Sequence, residues 1–120
     1  MRILIVGAGM GGLTLAALLR QRGVEPVVID RAPDFDHAGY MLGLYPLGSR
    51  VLHGLNAFQR FNDMSEPMDR YAVANGRGET IHAYDMDAIS SKLGEIRLTS
   101  RGELLDVLHE AAGRPDVRMG

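Results

Sequence analysis

Cysteine is absent from the 120 residues, which excludes a disulfide framework, a thiolate metal site and a cysteine nucleophile. A basic excess is absent too: 13 Lys and Arg stand against 15 Asp and Glu, for a formal net charge of −2. Nucleic acid, held by phosphate neutralisation, is therefore not an expected partner. No apolar run approaches the length that spans a bilayer. The apolar start breaks into glycines and lacks the basic flank of a signal peptide. No G-x-S-x-G motif, serine–histidine–acid set, internal repeat or low-complexity tract occurs. What remains is an ordinary globular balance, 46% hydrophobic and 23% charged. A chain of this size buries roughly two-thirds of its unfolded surface, enough for one core. The expectation is a soluble, cytoplasmic protein that contacts neither nucleic acid nor membrane.

Glycine, by contrast, is crowded. In "IVGAGMGG" four glycines fall in six positions directly after the aliphatic run Arg2 to Val6. Fixing glycine costs conformational entropy, so the backbone there must be needed where side chains would stand. The aliphatic run suits a strand buried on both faces of a parallel sheet. From Gly12 the spacing of Leu13, Ala16, Ala17 and Leu19 is helical, and Gly23 supplies a stop. Pro26 to Asp30 is a second aliphatic strand. Strand, helix and strand make a βαβ unit with a right-handed crossover.

Gly7, Gly9 and Gly12 then read G-x-G-x-x-G between strand and helix. The first glycine permits the tight turn, the second lets a pyrophosphate approach the backbone, and the third lets helix pack on strand. The helix start presents unpaired N–H groups and a positive dipole end to phosphate. Gly11 adds room at the same entrance. Asp30 ends the second strand, 18 residues after Gly12, where a carboxylate accepts hydrogen bonds from a ribose. An acid there disfavours a 2′-phosphate, so NADP is not the expected resident, while FAD and NAD both remain open on spacing. The pattern specifies an α/β chain with a Rossmann-like FAD/NAD(P)-binding βαβ fold.

Downstream, residues 31–46 read as a long ordered loop. Leu47 to Leu55 reads as a short helix continuing weakly through Phe61. Residues 70–84 read as two strands joined at "NGRG", a hairpin inserted beside the parallel sheet. Residues 100–112 read as a helix with Ser100 as N-cap and Glu103 completing a capping box. "VRMG" reads as a third strand lying beyond the second, which leaves the other edge of the first strand uncovered.

The stretch "GAGMGGLTLAALLRQRGVEPVVIDRAPDF" resembles the amino-terminal FAD fingerprint of the class A flavoprotein monooxygenases, the 4-hydroxybenzoate hydroxylase-like family. "GYMLGLYP" and "LTSRGELLDVL" resemble two further segments of that family. The resemblance implies FAD contacts at Gly7, Gly9, Gly12, Asp30, Arg31 and Arg101, with Gly11 at the loop entrance and Gly43 a weaker candidate for close backbone approach. Asp30 stands where the family has glutamate, a shorter side chain in the same role. The resemblance further implies FAD as cofactor, NAD(P)H as transient co-substrate, and hydroxylation of a small aromatic substrate with O2. The flavin carries that chemistry, so no catalytic side chain is assigned.

Two of the family's later cofactor motifs, "DG" and "GD", are missing. Residues 1–120 are therefore expected to be the amino-terminal portion of an FAD-binding domain, incomplete and inactive alone, needing the remainder of the enzyme. Residues 65–98 are expected to contribute to the substrate-domain sheet. A nicotinamide-dependent dehydrogenase and a non-catalytic FAD-binding piece or split subunit are the alternatives. Asp34, Asp36 and His37 could be drawn as a metal cluster, but lack further ligands, so no metal is assigned. Asp85 and Asp87 read as a solvated strand end, and His53 and His109 as packed or surface residues. His82 is a candidate substrate contact, while Met41, Leu42, Leu44 and Tyr45 read as packing.

Overall fold

The computed structural model describes residues 2–33 and 39–120. Strand β1 (Leu4–Val6) lies parallel to β2 (Val27–Asp30), with Ile5 opposite Val28. Helix α1 (Met10–Arg20) crosses between them. It buries Leu13, Ala16 and Ala17, and the two alanines let the helix lie close to its neighbours. Gly23, at φ +75°, adopts the left-handed conformation that ends the helix without a Cβ penalty. The α/β architecture expected from the glycine pattern is present.

The chain continues through β3 (Met41–Leu44), α2 (Pro46–Gly54), α3 (Phe58–Met64) and β4 (Glu66–Pro67). Then come the hairpin β5 (Arg70–Ala74) and β6 (Thr80–Asp85), α4 (Met86–Leu93), β7 (Arg97–Ser100), α5 (Arg101–Ala111) and β8 (Val117–Met119). Strand β8 pairs in parallel with β2, Ile29 opposite Arg118, so the described parallel sheet runs β1-β2-β8. The third strand lies beyond the second, as expected.

Ile5, Val28 and Val117 point to one side of this sheet, where they join Leu13, Ala16 and Ala17 of α1 and Leu104, Leu105 and Leu108 of α5 in a single core. That core extends to Leu52 of α2 and Phe61 of α3. The opposite side of β1 differs from expectation. Leu4 is 59% and Val6 77% exposed, because the buried residues of α1 and α5 gather on the Ile5 side. Among the described residues β1 is an edge strand, buried on one face rather than two.

Two further expectations are corrected. The segment expected as a loop over 31–46 contains β3, paired antiparallel with β7, Leu42 opposite Thr99. The same β7 also pairs antiparallel with β4. The helix expected to continue through Phe61 breaks at Asn56, which sits at φ +56°, so α3 is separate. Asp85 ends β6 exposed, as expected, and its carboxylate also accepts from the Asp87 N–H at 3.0 Å and caps α4. The hairpin is where it was expected. Asn75 Oδ1 accepts from Arg77 and Glu79 N–H across its turn. Every residue of β5 and β6 is exposed.

At α5 the capping box is complete. Ser100 Oγ accepts from the Glu103 N–H at 3.2 Å, and Glu103 Oε2 accepts from the Ser100 N–H at 2.9 Å. The Thr99 hydroxyl also donates to Glu103 Oε2, at 3.1 Å. This box fixes the start of the helix, where Arg101 stands.

Candidate nucleotide site

At the end of β1, Gly7 takes φ +107°, a value L-residues with side chains rarely adopt. Its N–H donates to Ile29 O at 2.7 Å, which keeps the turn attached to β2. Gly9 is the N-cap of α1, in extended conformation and without a side-chain cap. A Cβ built on Gly9 or Gly11 meets nothing within 4 Å, whereas one on Gly12 falls on the Gly7 carbonyl. The glycines therefore divide by function. Gly7 and Gly12 let the backbone turn and cross, while Gly9 and Gly11 leave the entrance of α1 open.

Asp30 closes the other side of this turn. Its Oδ2 accepts from the Ala8 N–H at 2.6 Å and its Oδ1 from the Ala32 N–H at 2.9 Å. Those two amides, Ala32 first, hold its carboxyl below the ordinary 3.8, and the charges of Arg31 and Arg101 act the same way against partial burial. The structure thus brings Asp30, Arg31 and Arg101 into one electrostatic neighbourhood beside the glycine turn. Arg101 begins α5, and its backbone N–H donates to Tyr40 O at 3.1 Å, tying the approach to β3 to the same place. A cation in the first turn of a helix opposes the dipole. Here the Asp30 carboxylate supplies a nearby opposite charge.

Gly43 stands outside this turn. It lies in the antiparallel sheet, and a Cβ there would meet Ile96 Cγ2 at 3.3 Å and Met68 Cε at 3.8 Å. Its close approach is made by the protein's own side chains. An apolar groove of about 430 Å³ opens beside Gly11, with Met10, Thr14, Leu44, Val51 and Leu104 among its walls. Leu42 and Leu44 pack against the core as expected, but Met41 and Tyr45 are exposed. Sequence reasoning missed the Ala8 N–H and the Tyr40 carbonyl, since backbone groups carry no residue-type signal.

Among the described residues the histidines do not converge. His53 stacks on Phe58 at 3.9 Å, His82 meets the edge of Tyr84 at 4.4 Å, and His109 Nε2 lies 3.0 Å from Pro115 O. Asp34, Asp36 and His37 lie outside the described residues. Among the described residues no group of three His, Asp or Glu could hold a metal ion. No described helix is long and apolar enough to cross a membrane.

Acid should loosen this region. Glu103 is held below its ordinary 4.5 by the Ser100 N–H and hydroxyl, then by the Thr99 hydroxyl. Both carboxyls have depressed folded-state values, so their contribution to stability is complete above the unfolded values. It is lost as pH falls through the folded ones. The urea midpoint is expected to hold between pH 7 and 5 and to fall below about pH 4.5. The fall should be shallower in Asp30→Asn. A midpoint equally acid-sensitive in both proteins would deny Asp30 this role.

With this geometry in view, comparison with known proteins is informative. Residues 5–68 match the family model of the NAD(P)-binding Rossmann-like domain. The chain belongs to that family. Among curated relatives, this Rossmann-like domain is 57% identical over 54 residues to the 3-amino-4-hydroxybenzoate 2-monooxygenase of Streptomyces cremeus, covering 45% of the chain and 14% of the relative. It is 30% identical over 124 residues to the FAD-dependent monooxygenase paxM of Penicillium paxilli, covering 99% of the chain and 26% of the relative. Among solved structures it superposes on Klebsiella pneumoniae HpxO complexed with FAD and uric acid. The TM-score is 0.81 at 24% identity, covering 100% of this chain and 31% of that one. The Rossmann-like domain spans less than a third of the length of each of these relatives.

Proposed function

We propose that the chain holds the adenosine diphosphate half of FAD and is the nucleotide-binding part of an FAD-dependent monooxygenase. The observation that carries this is the placement of Asp30. Its carboxylate stands against the glycine turn, with Arg31 and Arg101 close enough to depress its titration. Gly9 and Gly11, where no Cβ obstructs, and the open N–H groups at the start of α1 would hold the diphosphate. Arg101 and Arg31 supply positive charge toward it. Asp30 uses two acceptor positions on Ala8 and Ala32. An ionised carboxylate has about four, so two are left for the ribose hydroxyls.

When bound, FAD supplies electron transfer from NAD(P)H and the activation of O2. The name of the Streptomyces cremeus relative, a 3-amino-4-hydroxybenzoate 2-monooxygenase, supports hydroxylation of a small, aromatic substrate. This chain's residues contribute binding and orientation of the cofactor.

The test is calorimetric titration of the 120-residue protein with FAD, ADP and NAD. FAD and ADP are expected to bind one per chain. Arg101→Ala should weaken both by about tenfold, the value of one hydrogen bond to a charged group. NAD binding more tightly than FAD would favour a nicotinamide-dependent enzyme instead. Equal binding by Arg101→Ala and wild type would remove Arg101 from the site.

A further inference from the structure

The last ladder bond between β1 and β2 runs from the Gly7 N–H to Ile29 O at 2.7 Å. One residue beyond it on each strand, backbone pairing stops and a side chain takes over. Asp30 Oδ2 receives the Ala8 N–H at 2.6 Å while Oδ1 receives the Ala32 N–H at 2.9 Å. The carboxylate therefore bridges the loop leaving β1 and the bend leaving β2. The same bend is held from the third strand: the Gly120 N–H donates to Asp30 O and Ala32 O, both at 3.1 Å.

We propose that Asp30 is a positioning residue for the glycine turn, a latch that shapes the diphosphate cradle before any nucleotide arrives. By engaging the Ala8 amide, it holds that peptide in place and leaves to the entrance of α1 the amides of Met10, Gly11 and Gly12, which precede the first intrahelical donor, Leu13. Aspartate has the reach for this. A glutamate carries its carboxylate one methylene further, past an amide that Asp30 already meets at hydrogen-bonding distance. The latch itself is a property of the ligand-free protein. Only its benefit to a diphosphate rests on the function proposed above.

Two measurements test it on the 120-residue protein. Amide hydrogen exchange without ligand should show Ala8 protected at least tenfold over an open-loop amide in wild type, and not in Asp30→Asn. In that variant an NH2 group replaces one acceptor. Because Asp30→Asn could disturb folding, the wild-type protection stands as an independent reading, and exchange at the unprotected rate there overturns the latch.

Binding of inorganic pyrophosphate, which has no ribose, supplies the second measurement. If Asp30 acts only on ribose, Asp30→Asn binds pyrophosphate as well as wild type does, and the proposal fails. The latch instead predicts pyrophosphate weakened about fivefold or more, with Asp30→Glu also weakened despite its retained charge. Protection of Ala8 together with no pyrophosphate or FAD binding by wild type would uphold the latch and sink the FAD reading.

Discussion

Gly12→Ala is expected to lower the stability of the protein by about 3 kcal/mol, the upper end of the usual overpacking cost. For a domain of this size that shifts the melting temperature by about 10 °C or more. The reason is that an added Cβ would land on the Gly7 carbonyl, with Ile5 Cγ2 at 3.3 Å behind it. Backbone cannot swing aside as a long side chain can. Relief requires α1 to lift from the end of β1, taking Leu13 and Ala16 out of the core they help to form.

Gly11→Ala provides the contrast. Nothing lies within 4 Å of its Cβ position, and alanine is the better helix former by about 0.5–1 kcal/mol. Its melting temperature should be unchanged or slightly higher while nucleotide binding weakens, since the methyl enters the space assigned to the diphosphate. Thermal unfolding monitored by circular dichroism, paired with ADP titration, separates the two effects. Equal stability losses in Gly11→Ala and Gly12→Ala would show that the turn is not packed as described.

Arg97→Met should cost about 3–5 kcal/mol, as removal of a charge embedded in a buried hydrogen-bonded network usually does. Arg97 is only 8% exposed. Its Nε donates to Ser65 Oγ at 2.8 Å, and its Nη2 donates to Ser65 O at 2.6 Å and Asn62 O at 3.2 Å. Those two carbonyls belong to the end of α3, so the guanidinium caps that helix and ties it to β7. The fourth contact, Nη1 to Glu95 at 2.9 Å, involves a glutamate whose side chain is 58% exposed. It adds little, as surface pairs do. Methionine fills a similar volume but leaves both carbonyls and the Ser65 hydroxyl without their donor. Arg97→Lys keeps the charge and loses the fork, and should fall between. Urea unfolding measures both variants. A loss below 1 kcal/mol for Arg97→Met would mean that water replaces the guanidinium without cost.

The contrast between these two sites shows what the sequence made legible. The βαβ unit could be read because its signals are local: an aliphatic run, glycines at fixed offsets, helical spacing, a second run ending in Asp30. The capping box at Ser100 and Glu103 was readable for the same reason, as was the turn at Asn75. The sheet of β3, β7 and β4 was not. Met41 pairs with Ser100 and Glu66 with Leu98, across separations no local pattern encodes, and β4 has only two residues.

Helix α4 carries a readable signal in Asp85 two residues before Asp87, but the same acids fit a solvated strand end equally well. At the site, spacing from the glycines pointed to Asp30, and the family resemblance to Arg101. The Ala8 amide that engages Asp30 could emerge only from the fold. The exposed side of β1 was hidden for a related reason, since aliphatic composition does not say which face helices will cover.

The direct measurement of the central claim is amide chemical-shift mapping of the isotopically labelled chain during titration with ADP. Saturable shifts are expected at Gly7 to Leu13, at Asp30 to Ala32 and at Arg101, with the hairpin of β5 and β6 unmoved. Shifts confined elsewhere, or none at millimolar ADP, would contradict the assignment of the glycine turn and Asp30 as a nucleotide site.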